Sequence, residues 1–394
     1  MKYEWKIKTV GELTSYISKG IPPKYTDKKT NSTIVVLNQK CNRDYKISYE
    51  QSRLHDTTKK AVPTDKVLQY GDVLINSTGT GTAGRIAQFF NNDISTTVDG
   101  HMIIMRASKE IDYLYYGYAL KSYQKKIESF AEGSTGQTEI NKQRLQEELL
   151  IKYPQNIDLQ RSIALILKNI DDKIELNNRI NENLLEQLHL LYLRIFCDSA
   201  MDTPLGDVVA TTSGGTPSRK HDEYYSDSSI CWVKSKELLG NYIHETEEHI
   251  NDLAVKKSSA KLLPEHSVLI AMYGATVGAY GVISKPMTCN QAVCALLCNQ
   301  DYPYTYLFQI AYESQQKLIN LAVGSAQQNI SQVLIKQLNL HSDLDIIQKF
   351  HNLAFPIHKE IESLQAENIR LSTLRYNLLP KLMNGAIDVS KVKI

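Results

Sequence analysis

The chain repeats itself at a spacing of about 190 residues, and a duplication that long constrains the fold more tightly than any single motif within it. Val10-Gly11-Glu12-Leu13, followed by Lys19-Gly20-Ile21-Pro22, returns as Leu205-Gly206-Asp207-Val208, followed by Gly214-Gly215-Thr216-Pro217. Val73-Leu74-Ile75 with Gly79 and Gly84 returns as Val268-Leu269-Ile270 with Gly274 and Gly278, and TTVDGHMIIM (96–105) returns as MTCNQAVCAL (287–296). Gly133-Ser134-Thr135-Gly136-Gln137 matches Gly324-Ser325-Ala326-Gln327-Gln328. The 394 residues also exceed the size at which one hydrophobic core keeps growing. Two related units in tandem follow, not a cofactor domain joined to a substrate domain.

Each unit ends in a stretch with helical patterning. Residues 159–196 hold no Gly or Pro, and Ile163, Leu167, Ile170, Ile174, Asn177, Asn181, Leu184, Leu188, Leu191 and Ile195 recur at alternating steps of four and three. That 3.5-residue period is the seam of a coiled coil, and an asparagine on it sets register at some cost in stability. Residues 346–383 repeat the pattern with Ile357, Ile361, Leu364, Asn368, Leu371 and Leu378, while Pro356 should kink or restart the helix. The two seams most simply pair with each other, antiparallel, as a stiff rod about 50 Å long. A bundle packed onto the globular parts would need wider apolar faces than these seams show.

The globular parts carry short β-rich runs, TIVVL (33–37), DVLIN (72–76), HMIIMRA (101–107), SVLIAMY (267–273) and AVCALLC (292–298), separated by Gly, Asn, Asp and Ser turns. Helix-like segments fall late in each unit, which favours α+β over alternating α/β. The expected fold is therefore two β-rich α+β domains with a pseudo-two-fold internal repeat, joined by two long antiparallel coiled-coil helices. Its boundaries are 1–155 and 197–344 for the domains, 156–196 and 345–385 for the helices, and 386–394 for a tail.

Most catalytic chemistry is missing. The chain has no G-x-x-x-x-G-K-[ST], no H-E-x-x-H and no G-x-S-x-G, and it lacks the Asn or Asp before Pro-Pro-aromatic that holds the base in amino-methyltransferases. Cys289, Cys294 and Cys298 sit in an apolar run without a fourth ligand at zinc spacing, so they read as buried thiols and no metal site is expected. His101 is the best acid-base candidate, but its counterpart is Ala292, which excludes a role shared by both units. No apolar run approaches the ~20 residues needed to span a bilayer, and a cytoplasmic protein is expected.

One nucleotide signal needs weighing. Gly79, Gly81 and Gly84 form a literal G-x-G-x-x-G after an apolar run, with Asp99 where a ribose-binding carboxylate would stand. A Rossmann turn requires a helix starting at the third glycine, yet Arg85-Ile86-Ala87-Gln88-Phe89-Phe90 reaches Asn91-Asn92-Asp93 after six residues, and the second copy abandons the spacing. The loop reads better as a turn between strands. A stand-alone nucleotide-binding enzyme using Gly79–Gly84, and a coiled-coil scaffold that binds only protein, remain the competing readings.

What is present suits nucleic-acid binding. Lys19, Lys24, Asn38, Lys40, Thr78, Thr80, Arg85 and Gln137 of the first unit recur in kind as Ser213, Thr216, Ser218, Arg219, Lys220, Lys234, Lys236, Tyr273 and Gln328 of the second. Lys and the hydroxyls serve mainly as phosphate anchors, and Arg, Asn and Gln as readers of base edges. Residues 1–155 carry 23 Lys and Arg against 17 Asp and Glu, whereas residues 200–345 carry 10 against 15, so the grip is local and the two units differ. Two related readers held apart by a rod would meet DNA segments about one helical turn apart, ~34 Å.

In this order and spacing the motifs resemble the specificity subunit (HsdS) of type I restriction-modification systems, over nearly the whole chain. The carriers are the tandem β-rich units, Gly214-Gly215-Thr216-Pro217-Ser218, Tyr273-Gly274-Ala275-Thr276-Val277-Gly278, Asn290-Gln291-Ala292-Val293, the two long helices and Leu378-Leu379-Pro380-Lys381-Leu382-Met383-Asn384-Gly385. The resemblance implies two target-recognition domains, each reading one half of an asymmetric bipartite site in double-stranded DNA, and no catalysis by this chain. It implies two methyltransferase subunits docked on the helices and restriction subunits bound through them. S-adenosylmethionine, ATP and magnesium would belong to those partners, with no cofactor or metal bound here and no membrane involved. Tyr153-Pro154-Gln155 keeps only a loose form of the family's approach to the first helix, and Asp343-Leu344-Asp345 lacks its proline.

Overall fold

A computed structural model describes residues 4–133, 138–322 and 329–389. Contacts divide the chain into two compact units, Met1–Lys173 with Leu371–Ile394, and Ile174–Arg370. Unit one is built from two separate segments and unit two from one. Each recruits a share of both long helices.

In unit one, Thr14–Lys19, Met102–Ala107, Val73–Asn76 and Ile86–Gln88 form an antiparallel sheet in that order. Val73, Leu74 and Ile75 are fully buried, the fate of a short apolar run covered on both faces. A second sheet holds Thr96–Val98, Thr33–Leu37, Arg53–Asp56 and Tyr25–Thr26, its first pair parallel. Trp5–Thr9 pairs with Leu150–Pro154. Helix Tyr113–Ser122 starts where the Asp112 carboxylate accepts from the backbone of Leu114 and Tyr115 at 3.0 and 3.1 Å, which satisfies two orphan donors.

Unit two repeats this frame in register. Ala210–Ser213, Val293–Leu297, Val268–Ala271 and Tyr280–Ile283 follow the same order, and Ile230–Val233 lies parallel to Thr288–Cys289 and antiparallel to His249–Ile250. Met201–Pro204 pairs with Asn339–His341 as Trp5–Thr9 does with Leu150–Pro154. The added strand Asn241–Ile243, parallel to Tyr280–Ile283, distinguishes this copy. The repeated glycine has a steric cause in both. A Cβ on Gly20 would stand 2.1 Å from the Val98 carbonyl oxygen, and one on Gly214 would stand 2.2 Å from that of Cys289.

The long helices run Ile157–Phe196 and Leu344–Met383, 40 residues each. Their antiparallel pairing is visible within each unit. In unit two, Asn177 Nδ2 donates to Glu367 Oε2 at 2.7 Å and Asn368 Oδ1 at 2.9 Å, and Asn368 Nδ2 donates to Asn178 Oδ1 at 2.8 Å. In unit one, Arg375 pairs with Asp171, which also accepts from Tyr118 Oη at 2.7 Å and Lys121 Nζ at 3.5 Å. Burial opposes the Asp171 charge, but Lys121, Arg375 and Tyr118 together hold its carboxyl below the usual range; burial pushes the Lys121 ammonium down to about 8.

Two expectations need correcting. The helices are not a free rod along their whole length, because their ends enter the cores. Ile163, Ala164, Leu167, Leu382 and Met383 belong to the core of unit one, and Leu188, Tyr192, Phe196, Phe350, Ala354 and Ile361 to that of unit two. Ala164, Tyr192 and Phe196 lie off the 3.5-residue seam and supply the wider faces that such packing needs, while Phe350, one heptad before Ile357, turns the seam itself into the core. Of the seam positions, Ile170, Asn181 and Leu364 are buried, and Ile174, Leu184, Leu191, Ile357, Leu371 and Leu378 half-buried. Nor does Pro356 restart the helix, which is continuous through it. Pro356 and Asn352, whose carbonyl loses its partner, both face solvent, where water replaces the missing bond.

Phe350 is fully buried against Tyr192 and Phe196, so Phe350→Ala should cost about 3–5 kcal/mol, read as a fall in the thermal midpoint of unit two. His358 is also fully enclosed, with Nδ1 2.8 Å from Tyr242 Oη, and burial pushes its imidazole down to about 3. The unfolded chain binds a proton near pH 6.5 that the folded chain refuses. Stability is thus complete above pH 6.5 and falls as pH drops toward 3, by up to about 1.4 kcal/mol per pH unit. Thermal melts of His358→Leu should show a shallower acid slope than wild type.

Candidate nucleic-acid interface

In unit one a short turn organises the polar loops. Asn38 caps Gln39–Cys41, its Oδ1 accepting from Lys40 N at 2.8 Å and its Nδ2 donating to the Gln51 carbonyl at 2.6 Å. The amide of Asn38 is thereby committed to tying two turns together, while Lys40 stays exposed. The tie frames an open hollow lined by Asn38, Lys40, Gln51, Arg53, Tyr25, Asp99 and His101. The Arg53 guanidinium lies 3.6 Å from the Tyr25 ring centroid. Asp99 sits at the buried end, where desolvation raises its carboxyl, and it accepts from His101 N at 2.9 Å. His101 Nδ1 is 2.8 Å from Thr78 Oγ1, so Thr78 reaches the same hollow.

The glycine loop joins two antiparallel strands. Val73–Asn76 pairs with Ile86–Gln88, and Gly79, Gly81 and Gly84 take φ of 114°, 71° and 87°. A strand follows Gly84 where a dinucleotide fold would place a helix, which removes the physical basis of nucleotide binding there. Thr80 is exposed at the loop tip. Arg85 turns away from Thr78. Its Nη2 donates to the Gly81 carbonyl at 3.2 Å, and it lines a separate hollow with Arg43, Tyr45 and Gln124. Lys19 is paired with Glu139, which bridges to Thr78; Lys24 is exposed beside His55, whose Nδ1 accepts from Lys24 N at 2.7 Å. Gln137 and Gln328 lie outside the described residues.

In unit two three of the four expected cations, Arg219, Lys234 and Lys236, are paired with carboxylates. Arg219 lies over Tyr225 and Trp232, at 4.3 and 5.6 Å, and pairs with Glu248. Lys234 shares Glu248, and Lys236 pairs with Glu247. Bonds from Lys234 and Arg219 hold the Glu248 carboxyl below its ordinary range. Ser213 Oγ donates to Gln332 Oε1 at 3.1 Å, and Thr216 bonds Gln291. Ser218 Oγ accepts from Lys220 N at 3.3 Å, and the Lys220 side chain is exposed. Tyr273 is exposed and bridges to Asn329, as Thr78 does to Glu139.

Reading the loops by cation content thus overlooks Arg53, Tyr25 beside Lys24, and the carboxylates of Glu245-Thr246-Glu247-Glu248 that fold back onto the lysines. Cys231, Glu245 and His249 also converge, with Glu245 Oε1 3.0 Å from Sγ and 2.5 Å from Nε2. Lys285 Nζ stands 3.3 Å from the other carboxylate oxygen, so Glu245 is shared by three partners. Burial opposes the Glu245 charge, yet the bonds from Cys231, His249 and Lys285 hold its carboxyl down to about 2. No helix among the described residues is long and apolar enough to cross a membrane.

The repeated frame with its divergent polar loops defines a two-module recognition protein. Residues 2–186 and 200–342 each match the type I restriction modification DNA specificity domain, and the chain belongs to that family. It is 24% identical to the type I restriction enzyme MjaIX specificity subunit of Methanocaldococcus jannaschii, over 99% of this chain and 95% of that one. It is 26% identical to the HindI specificity subunit of Haemophilus influenzae over 46% of this chain and 40% of the relative. In structure it is similar to the type I restriction-modification S subunit from M. genitalium, with a TM-score of 0.60 at 17% identity, covering 97% and 96% of the two chains.

The glycine loop offers a graded test. A Cβ on Gly84 would meet the Glu128 backbone at 2.9 Å, whereas one on Gly81 meets nothing within 4 Å. Gly81→Ala should cost about 1–2 kcal/mol from its positive φ alone. Gly84→Ala should cost visibly more in a thermal melt, and neither change should create or abolish binding of a dinucleotide followed by titration.

Proposed function

We propose that this chain is the DNA specificity subunit of a type I restriction-modification complex, in which each unit reads one half of an asymmetric bipartite site in double-stranded DNA. The observation that carries the reading is the in-register repetition of one frame with different side chains at matching loop positions: Thr78 against Tyr273, Asn38 against Lys234. A common frame gives both units the same approach to a groove, and unlike loops give them unlike base contacts. A coiled-coil scaffold would have no need of that divergence.

The chain itself is non-catalytic on this reading. Two methyltransferase subunits dock on the paired helices, where Leu176, Leu190, Leu193, Leu374 and Tyr376 are exposed, and restriction subunits join through them. S-adenosylmethionine, ATP and magnesium are used by those partners. Lys24, Lys40, Thr80, Ser218 and Lys220 keep exposed side chains suited to phosphate, while Lys19, Arg219, Lys234 and Lys236 must exchange a carboxylate for one.

The test is to assemble the chain with its methyltransferase partner and map methylated positions across a genome. Two unequal specific blocks around a non-specific spacer are expected; a continuous palindrome would sink the reading. Within such a complex, Lys40→Ala should weaken binding to all sequences and lower the slope of log K against log salt by about 1, measured by titration at several salt concentrations.

A further inference from the structure

The two units place opposite chemistry at one shared position of the repeat. In unit one, Leu37 lies beside Val98 in the parallel pair, and Val36 lies beside Arg53 in the antiparallel one. In unit two, Val233 lies beside Cys289, and Trp232 N donates to the Glu248 carbonyl at 3.1 Å, next to the pair Cys231 and His249. Val36 therefore corresponds to Trp232, and Arg53 to Glu248. The alignment holds further along, since Asn38 and Lys234 each open a 3-10 turn.

What surrounds this position differs. Glu248 is filled by Arg219 and Lys234. Arg53 has no carboxylate within ion-pair distance among the described residues, and its guanidinium lies over the Tyr25 ring, 3.6 Å from the centroid, in the open hollow that Lys40, Gln51 and the carboxylates of Glu50 and Asp99 also line. A guanidinium held on an aromatic face keeps its fork of donors aimed outward and loses little rotamer freedom on binding. It carries donors only, so it matches the two acceptors N7 and O6 of guanine and is met by a donor at N6 of adenine.

We propose that Arg53, supported by Tyr25, reads a guanine in the major groove of the half-site bound by unit one, and that Glu248 makes unit two read the corresponding step differently. The proposal rests on the chain being a DNA specificity subunit. Arg53 supplies bidentate recognition, Tyr25 positions it, and Lys40 anchors the neighbouring phosphate.

The full chain, assembled with its methyltransferase partner, is presented with a DNA library randomised within both half-sites, and methylated sequences are read for wild type, Arg53→Ala, Arg53→Lys and Lys40→Ala. Arg53→Ala and Arg53→Lys should lose preference for guanine at one position of one half-site, by ~10–100-fold in relative methylation, with the other half-site and spacer unchanged. Lys40→Ala should lower methylation of all sequences without changing the preferred one. Arg53→Lys keeps the stem and charge, so its thermal midpoint and assembly should match wild type even if Arg53→Ala folds poorly. Retention of every base preference by Arg53→Lys, or a wild-type half-site without guanine, would overturn the proposal while leaving the bipartite reading intact. A wild-type complex that marks no bipartite site would overturn both.

Discussion

Antiparallel pairing of the two long helices is the constraint on which each unit depends. Asp171, reached by Arg375, Lys121 and Tyr118, joins both helices to the recognition domain of unit one, and Leu382 and Met383 complete its core. That domain therefore closes over a stretch containing all of unit two. Loop-closure entropy grows only slowly with length, so the cost to stability is modest, whereas the high sequence separation of these contacts should make them late to form. The asparagines on the seam help fix the register on which this closure relies. A slip of one heptad would separate Asn177 from Asn368 and break the bonds these amides make to each other, to Glu367 and to Asn178.

The same pairing explains how a duplicated frame tolerates divergent loops. Strand order, the parallel pair and the close backbone approaches at Gly20 and Gly214 are shared, because a change there would break a ladder or force a Cβ into a carbonyl. Loop side chains carry no such burden. Arg53 on Tyr25 and Glu248 under Arg219 occupy one position of one frame, and either arrangement leaves the neighbouring strand intact. Specificity can change at such places without a change in fold.

Much of the architecture is legible in the chain itself. The repeat shows because glycines and buried strands must recur where the frame recurs, and the seam shows because its 3.5-residue period survives over several turns. Less legible is which apolar helix residues leave the seam for a domain core. Tyr192 sits next to the seam residue Leu191 and Phe350 continues the seam one heptad before Ile357, and only the tertiary contact shows that both serve a domain core. The candidate site is legible as a set of loops but not as a set of free charges. Asn38 looks like a base reader and Ser213 like a phosphate anchor in sequence, yet Asn38 caps a turn and Ser213 bonds Gln332. Arg53 escapes notice because its partner Tyr25 lies 28 positions away on another strand.

Under the proposed function, the acidic segment of unit two has a consequence for how the chain would meet a polyanion. Glu247 and Glu248 stand against Lys236, Lys234 and Arg219, so phosphates must displace carboxylates to reach those cations. The exchange of one anion for another conserves charge pairing on the protein side, while counterions still leave the DNA. Displaced carboxylates then face the phosphate backbone unless they turn toward a donor on a base edge, and cytosine N4 offers one in the major groove. Sequences that supply that donor relieve the repulsion, and those that do not retain it. Carboxylates that weaken general attraction to DNA can in this way sharpen discrimination, since specificity is a difference between affinities and gains from what repels the wrong partner.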